Sequence, residues 1–200
     1  MKFVIHAPEY VLTSLRAQCA TANWISVNNI AQFEEYADAD AFFSLYEDAG
    51  SQEYPLLHKP LFIHSVVHPV AIGQRAIRIN AWNGFLENKQ WEIIGMPNEA
   101  EAQIFAWLQK SIINCTETVG FIAPRVLAMI INEAYFALSE AVSTAEEIDT
   151  AMKLGTNYPM GPIEWSKKIG LQNIYHYLQH LSLQDERYLP AALLQKTAGF

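Results

Sequence analysis

The chain has little of several features that define large classes of protein. Its 200 residues contain two cysteines, 13 lysines and arginines against 21 aspartates and glutamates, and no apolar run near membrane-spanning length. A small disulfide scaffold needs more cysteine, and a membrane span needs about 20 apolar residues. A net charge of -8 repels phosphate backbones and anionic lipid. We therefore expect no nucleic-acid partner and no membrane partner.

Targeting signals and cysteine motifs are also missing. The apolar start, Met1 to Ile5, is followed at once by polar residues and a proline, so we expect no signal peptide and a cytoplasmic location. Cys19 and Cys115 lie in apolar segments without metal spacing, which favours reduced core thiols. What is present is 51% hydrophobic and 12% aromatic residues, enough to build a sizeable core.

Short β-branched and aromatic runs alternate with helical or polar stretches in the first half of the chain. This alternation predicts an α/β sheet. The candidate strands are Phe3–Ala7, Trp24–Val27, Ala41–Tyr46, Leu61–Val67, Ala76–Trp82, Trp91–Gly95 and Ser111–Cys115. The amphipathic stretches between them are Glu9–Ala20, Asn29–Tyr36 and Asn98–Lys110, the last with Asn98 as its N-cap.

After Cys115 the apolar period changes from about two to about 3.6 residues, which predicts an all-helical second half. A long helix is expected over Gly120–Val142. Further helices are expected from Ser143 to Leu154, after Pro162, over Gln172–Leu181 and over Pro190–Thr197. We therefore expect an α/β domain over residues 1–116 and a helical domain over residues 117–200.

The helix ends of the second half are marked by capping and breaking residues. Ser143 and Glu146 have the spacing of a capping box, and Gly155 is expected to end the helix that they begin. Pro162 suits the first turn of the next helix, and Gly170 is expected to end it.

Several segments of the second half form a specific pattern: Gly120–Ile122, Arg125, Asn132–Ala134, Glu146–Gly155 and Tyr158–Pro162. In this order they resemble the C-terminal helical domain of the 3-hydroxyacyl-CoA dehydrogenases, over residues 117 to 198. The first half is similar to the nucleotide-binding domain of that family in outline, over Asp38–Phe43 and Ile79–Ile94, and is shorter. The resemblance implies an abbreviated Rossmann-like domain followed by a helical domain.

Members of this family transfer hydride between NAD and the 3-hydroxyl group of an acyl-CoA. The resemblance therefore implies NAD as the cofactor and an acyl-CoA as the ligand. In the family the helical domain forms the dimer contact, which implies a homodimer. Ile131, Tyr135 and Phe136 extend the apolar character of the long helix beyond a single stripe, which also favours a dimer.

The nucleotide-binding positions depart from the family pattern. A pyrophosphate needs a glycine-rich turn after the first strand, because only glycine lets the backbone approach it closely. This chain has Pro8 and Glu9 there, and Asn28 and Asn29 follow the second strand in place of the ribose-binding carboxylate. We therefore expect that NAD is not bound in the usual mode.

The proton-transfer positions depart as well. The resemblance places Asn80 at the catalytic histidine of the family, Asn83 in its Asn-Pro pair, and Glu92 at the glutamate that orients the histidine. Asparagine cannot carry a proton at neutral pH. Pro124 replaces the asparagine of active members, and the serine of the family falls within Ile63–Val67, where Ser65 is the candidate.

Other polar residues have two interpretations. His64 and His68 flank Ser65 at the carboxyl end of a strand, where ligands of open α/β sheets bind. With Glu92 they form either a replacement acid-base set or a polar strand end with surface imidazoles. His176 and His180 have the helical spacing of a metal pair but no third ligand nearby, so an exposed helix face is the alternative.

The turn that contains Tyr158, Pro159 and Met160 is either purely structural or the wall of a ligand cleft. Three functions stay open: an NAD-dependent oxidoreductase of fatty-acid metabolism, a non-catalytic protein that binds an acyl-CoA, an acyl carrier or a nucleotide fragment, and a dimeric interaction protein. The retained helical segments favour membership of the family, while the missing glycines and histidine disfavour its chemistry. We expect a degenerate family member.

Overall fold

The computed structural model describes residues 1–117 and 120–200. The chain divides into two compact units, Met1–Ile122 and Ala123–Phe200. The division lies a few residues after residue 116, where the sequence places the domain boundary. The first unit is an α/β structure and the second is all-helical, so the predicted fold class is confirmed.

Strands occupy each of the segments that the sequence predicts, and they form one seven-stranded sheet in the described part of the chain. The strands are β1 (Lys2–His6), β2 (Asn23–Ser26), β3 (Ala41–Ser44), β4 (Leu61–His64), β5 (Ile77–Ile79), β6 (Gln90–Ile94) and β7 (Ser111–Cys115). Their order is β2-β1-β3-β4-β5-β6-β7. Neighbouring strands are parallel except β5 and β6, which are antiparallel.

Helices of the first unit are α1 (Glu9–Gln18) and α2 (Glu99–Trp107), with 3-10 helices over Ile30–Glu35 and Ala49–Ser51. The stretch predicted as a helix over Asn29–Tyr36 is therefore a 3-10 helix. Asn98 caps α2 as predicted, because its side chain accepts a hydrogen bond from the Glu101 N–H at 3.0 Å. Both cysteines are free thiols, and burial raises the pKa of each.

The central strands are buried on both faces, as expected for parallel strands covered by helices. On one face a row of phenylalanines in ring contact, Phe3, Phe43 and Phe62, packs with α1 and α2 residues such as Leu12 and Phe105. The opposite face has its own core cluster, which includes Val4, Phe33, Phe42, Tyr54 and Ile63. The strand order reverses between β1 and β3, and in open sheets this reversal leaves a crevice at the carboxyl ends of the strands.

The second half forms α3 (Ile122–Ser139), α4 (Ala145–Thr156), α5 (Pro162–Ile169), α6 (Leu171–Ser182) and α7 (Ala192–Ala198). By length and composition alone, α3 qualifies as a candidate membrane span. However, its Asn132 side chain donates to the Leu189 carbonyl at 2.9 Å and accepts from the Ala191 N–H at 2.8 Å. Ala128 and Ile131 on the same helix are fully buried. These are the contacts of a core helix.

The start and end of α4 differ from the prediction. The N-cap is Thr144 rather than Ser143, and its partner in the capping box is Glu147 rather than Glu146. The Ser143 hydroxyl instead donates to the Glu147 carboxylate at 2.6 Å. Gly155 lies inside the helix, which ends where Asn157 adopts a left-handed φ of 56°. Asparagine tolerates this conformation, so glycine is not required at the end.

The next helix begins and ends as the sequence predicts. Pro162 is the first residue of α5, and Gly170 ends it with a φ of 98°, a conformation that favours glycine.

Candidate functional site

The turn between β1 and α1 occupies the position where a nucleotide-binding turn would lie. Pro8 is the N-cap of α1, and its carbonyl accepts from the N–H groups of Val11 and Leu12 at 3.0 and 3.2 Å. Proline has no N–H to offer a phosphate, and Glu9 places a carboxylate in the first turn of the helix. The residues present do not fit the pyrophosphate of NAD.

The polar side chains that follow β2 also form local hydrogen bonds. The Asn29 side chain accepts from the Gln32 N–H at 3.3 Å and caps the 3-10 helix, while the Gln32 side chain accepts from the Asn29 N–H at 3.3 Å and from the Asn28 N–H at 2.8 Å. These amides close a capping box. The Asn29 side-chain oxygen, which a ribose hydroxyl would need as its acceptor, therefore already has a partner.

His64, at the end of β4, is bonded at both ring nitrogens. Its Nε2 lies 3.1 Å from an oxygen of Glu47, and its Nδ1 lies 3.1 Å from the Ala81 N–H nitrogen and 3.3 Å from the Ile79 carbonyl oxygen. The other Glu47 oxygen accepts from the Trp82 indole N–H at 3.1 Å. Side chains at or just after the ends of β3, β4 and β5 thus meet at the carboxyl edge of the sheet.

The electrostatics of this cluster depend on Glu47. Burial by itself lowers the pKa of His64, but the charge and hydrogen bond of Glu47, together with the Ile79 carbonyl and the charge of Asp48, outweigh it and the pKa lies above its usual value. Burial and the same carboxylate raise the pKa of the Tyr10 hydroxyl. At the neighbouring end of β1 the His6 ring packs 4.5 Å from Tyr46, and burial lowers the pKa of His6.

Ser65 and His68 are tied into the loop after β4. The Ser65 side chain is fully buried, and its hydroxyl donates to the His68 carbonyl at 2.6 Å. The buried Arg78 guanidinium donates to the carbonyls of Ser65 and Val66 at 3.0 and 3.2 Å. His68 itself is exposed. The structure therefore joins His64 to Glu47, and it gives the Ser65 hydroxyl a structural partner.

Asn80 and Glu92 face each other across β5 and β6. The Asn80 N–H donates to the Glu92 carbonyl at 3.3 Å, which continues the antiparallel ladder of Ile79 and Ile93. Directly opposed residues of such a ladder lie on the same face of the sheet. The Asn80 side-chain oxygen accepts from the Trp82 N–H at 3.2 Å, whereas its buried amide nitrogen has no hydrogen-bond partner among the described residues.

An open cleft of about 180 Å³ adjoins this edge of the sheet. Its lining comes from α1 and from the segment after β5: Tyr10, Val11, Ser14, Ala81, Trp82, Asn83, Gly84, Leu86 and Glu87. Asn83 is the predicted cleft residue that it contains. This volume includes open solvent, and the space within it for a water-sized molecule is only about 10 Å³, so the cleft is a shallow surface feature rather than a preformed small-molecule pocket.

The predicted site residues of the second unit have structural partners of their own. Pro124 is buried in the first turn of α3. Tyr158, Pro159 and Met160 form the turn between α4 and α5, with Tyr158 37% exposed. The Asp149 carboxylate closes this turn by accepting from the N–H groups of Ile163 and Glu164. These contacts support the structural interpretation. The cleft-wall interpretation stays a prediction.

One histidine of the α6 pair, His176, packs against a neighbouring aromatic ring. The His176 ring lies 5.0 Å from the ring of Phe200, which stacks on Tyr175 at 4.5 Å. Across residues 1–117 and 120–200 no group of three or more metal-binding side chains was found.

Sequence comparison assigns the second half of the chain. Residues 120–199 match the family model described as 3-hydroxyacyl-CoA dehydrogenase, C-terminal domain. Over 107 residues the chain is 39% identical to a 3-hydroxyadipyl-CoA dehydrogenase of Escherichia coli (strain K12), covering 51% of this chain and 22% of that protein. Over 100 residues it is 41% identical to a 3-hydroxybutyryl-CoA dehydrogenase of Bradyrhizobium diazoefficiens, covering 49% and 34%. The resemblance inferred from the sequence is confirmed for the helical second half, over residues 120–199.

Solved structures are similar to the chain in fold. A (S)-3-hydroxybutyryl-CoA dehydrogenase from Ralstonia eutropha matches with a TM-score of 0.72 at 18% identity, covering 98% of this chain and 92% of that one. A 3-hydroxybutyryl-CoA dehydrogenase from Escherichia coli matches with a TM-score of 0.65 at 19% identity, covering 97% and 50%. By contrast, the sequence matches span only 22% and 34% of the two relatives' lengths.

Sequence reasoning missed Glu47, which anchors the cluster at the carboxyl edge. One signal was available, because Glu47 comes shortly after the buried strand β3, which lies beside the point where the strand order reverses. That order is known only once the sheet is built. The contact between Glu47 and His64 joins residues from different strands, and the sequence shows no pattern that pairs them.

Proposed function

We propose, from the premise that residues 120–199 form a 3-hydroxyacyl-CoA dehydrogenase C-terminal domain, that this chain binds an acyl-CoA-type ligand without NAD-dependent hydride transfer. The observation that carries the proposal is the turn between β1 and α1. Pro8 supplies no N–H, its carbonyl is occupied by the helix, and Glu9 adds a negative charge. Two phosphate charges at this turn would be repelled rather than bound.

The proton-transfer positions support the same proposal. Oxidation of a secondary alcohol needs a group that accepts the hydroxyl proton. Asn80, which stands at the histidine position by resemblance, cannot accept one at neutral pH. Glu92 is retained on the facing strand, but a histidine for it to orient is absent from the Asn80 position.

The ligand class is proposed from the relatives and from Asn80. Both sequence relatives are named as dehydrogenases of 3-hydroxyacyl-CoA compounds. The Asn80 amide nitrogen is a buried donor without a partner among the described residues, and an unpaired buried donor is costly. A carbonyl oxygen of the acyl group would satisfy it. We propose that Asn80 donates a hydrogen bond to such an oxygen.

Titration calorimetry tests the loss of NAD binding. NADH added to the purified protein is expected to show no binding at sub-millimolar concentration. A micromolar dissociation constant would contradict the proposal. A thermal-shift screen with NAD, NADH, coenzyme A and acetoacetyl-CoA tests the ligand class, because a ligand at about 100 times its dissociation constant stabilises the fold by roughly 2.7 kcal/mol. Stabilisation is expected from acetoacetyl-CoA and not from NAD or NADH.

An activity assay tests the chemistry separately. Oxidation of NADH in the presence of acetoacetyl-CoA is expected to stay at background, and Asn80→His alone is not expected to restore it, because the nucleotide turn is still unsuitable. Clear turnover by the wild type that Glu92→Gln abolishes would show that the dehydrogenase chemistry survives.

A second candidate function is that of a dimeric interaction protein. Val126 and Phe136 on α3 are 50% and 37% exposed, and Val142 just after it is 69% exposed. Apolar side chains gathered on one helix are typical of surfaces that another chain covers. We propose that these residues contribute to a homodimer contact.

A further inference from the structure

His64 has more hydrogen-bond partners than one protonation state can serve. Its side chain is 3% exposed, so water does not complete its bonding. Nε2 faces the Glu47 carboxylate, which only accepts hydrogen bonds, so this nitrogen carries a proton. Nδ1 faces both a donor, the Ala81 N–H at 3.1 Å, and an acceptor, the Ile79 carbonyl at 3.3 Å.

The two partners of Nδ1 are mutually exclusive. In neutral His64 with the proton on Nε2, Nδ1 has a lone pair and accepts from the Ala81 N–H. In the charged form Nδ1 carries a proton, so it donates to the Ile79 carbonyl and has nothing to offer the Ala81 N–H. Gain of one proton from solvent therefore exchanges one backbone partner for the other and leaves the Ala81 N–H unpaired.

The charged groups around His64 favour its protonated form. Glu47 and Asp48, both from the segment after β3, act on it electrostatically, and on the β5 side its ring contacts the backbone groups of Ile79 and Ala81. Burial opposes the charge, but the pKa of His64 is raised on balance. The exchange of partners is thus expected at a pH above 6.5.

Both ends of the imidazole act on the same segment. Ala81 is followed by Trp82, Asn83 and Gly84, and this stretch lines the cleft beside Tyr10. Nδ1 holds the segment through Ala81, while Nε2 holds it through Glu47, whose second oxygen accepts from the Trp82 indole.

We propose that His64 is a proton-controlled latch on the segment Ala81–Gly84. Neutral His64 holds the Ala81 N–H and keeps this wall of the cleft in place. Charged His64 releases it, so the wall is less tightly held on the acid side of the transition. The proposal does not depend on which ligand the protein binds.

Nuclear magnetic resonance of the wild-type protein tests the latch directly. Long-range correlation of the imidazole nitrogens is expected to show neutral His64 with its proton on Nε2 above the transition, and a doubly protonated ring below it. Exchange of the Ala81 amide hydrogen, corrected for its intrinsic pH dependence, is expected to become about fivefold faster on the acid side. A neutral ring with its proton on Nδ1, or an Ala81 amide whose protection does not follow the His64 titration, would overturn the proposal.

Variants connect the transition to Glu47. In Glu47→Gln the charge that most favours the imidazolium is gone while burial remains, so the His64 midpoint is expected to fall below that of the wild type. The pH at which exchange of the Ala81 amide hydrogen accelerates should fall with the His64 midpoint. His58→Gln is the matched control, because His58 is an exposed histidine of the same unit and should leave both curves unchanged. A His64 midpoint that is the same in the wild type and in Glu47→Gln would contradict the latch.

Discussion

At the residue scale, the segments that resemble the dehydrogenase family most closely have a structural explanation. The Asp149 carboxylate of α4 accepts from the N–H groups of Ile163 and Glu164 at 2.8 and 3.1 Å and so caps α5. The Gly161 N–H donates to the Glu164 carboxylate at 2.9 Å. Acidic groups at a helix start also interact favourably with the helix dipole. These contacts close the turn that contains Tyr158.

Gly161 is the residue that makes this closure possible. A Cβ atom at position 161 would lie 2.1 Å from an Asp149 carboxylate oxygen and 2.4 Å from the Asp149 Cα. Gly161→Ala is therefore expected to force α4 and α5 apart and to lower the free energy of unfolding by about 1 to 3 kcal/mol. Urea unfolding followed by circular dichroism measures the change.

Gly155→Ala is the matched control for that substitution. Gly155 lies within α4, and a Cβ there would meet nothing within 4 Å. Alanine is better than glycine inside a helix by about 0.5 to 1 kcal/mol. The control is expected to stabilise the protein. Equal destabilisation by both substitutions would show that the contact between Gly161 and Asp149 is unimportant.

At the scale of elements, the capping arrangement of α4 distinguishes the structure from the sequence prediction. Thr144 accepts from the Glu147 N–H at 3.3 Å, whereas Ser143 contacts only the Glu147 side chain. Thr144→Ala is expected to lower the free energy of unfolding by about 1 kcal/mol, the usual effect of removing an N-cap. Ser143→Ala is expected to have a smaller effect. The reverse order in chemical unfolding would support Ser143 as the cap.

The same cap predicts a pH dependence. Hydrogen bonds from the Ser143 hydroxyl and from the Thr144 N–H and side chain lower the pKa of Glu147 below its usual value of 4.5. Stabilisation from the Glu147 carboxylate is therefore fully present above pH 4.5 and is lost as the pH falls through the lowered pKa. The difference in stability between the wild type and Glu147→Gln should shrink in that acid range. A difference that stays constant from pH 7 to pH 3 would argue against the carboxylate.

Most elements were predictable because their signals are local. The strand β3 is a run of aromatic and small apolar residues, and the ends of α5 follow from Pro162 and Gly170. The errors also have local causes. Gly155 has ordinary helical geometry, and the left-handed position that ends α4 belongs to Asn157. A glycine marks a helix end only when the backbone there needs a positive φ, which the sequence does not reveal.

The candidate site was less predictable than the fold. The sequence showed that Pro8 and Glu9 stand where the family has glycines, because the phosphate-binding turn is a contiguous motif. The sequence did not show the partner of His64, since Glu47 comes from a different strand and the two meet only through the parallel register of β3 and β4. Chemistry that depends on tertiary contacts between strands is missed for this reason, whereas chemistry within one turn is not.

At the scale of the whole molecule, the exposed apolar side chains of the second unit bear on whether the chain forms a dimer. Side chains of the second unit that remain exposed include large apolar ones: Val126, Phe136, Val142, Leu154 and Tyr158. Of the residues that the sequence assigned to a second apolar face, Ile131 and Tyr135 are buried and Phe136 is exposed. We propose that a covering partner buries part of this exposed set. A second copy of the chain is the simplest one, because twofold dimers are the commonest closed assembly.

Light scattering coupled to size exclusion tests the dimer. At micromolar concentration we expect a mass near twice the 22.6 kDa of the chain, which persists in moderate salt because an apolar interface is not screened. Such an interface should bury more than about 1,000 Å². Phe136→Glu places a charge among apolar residues and is expected to shift the mass toward the monomer. Leu56→Glu changes a side chain that is 85% exposed in the first unit, so that variant should remain dimeric. A wild-type mass near that of one chain would contradict the dimer, and equal dissociation by both variants would show that Phe136 does not mark the interface.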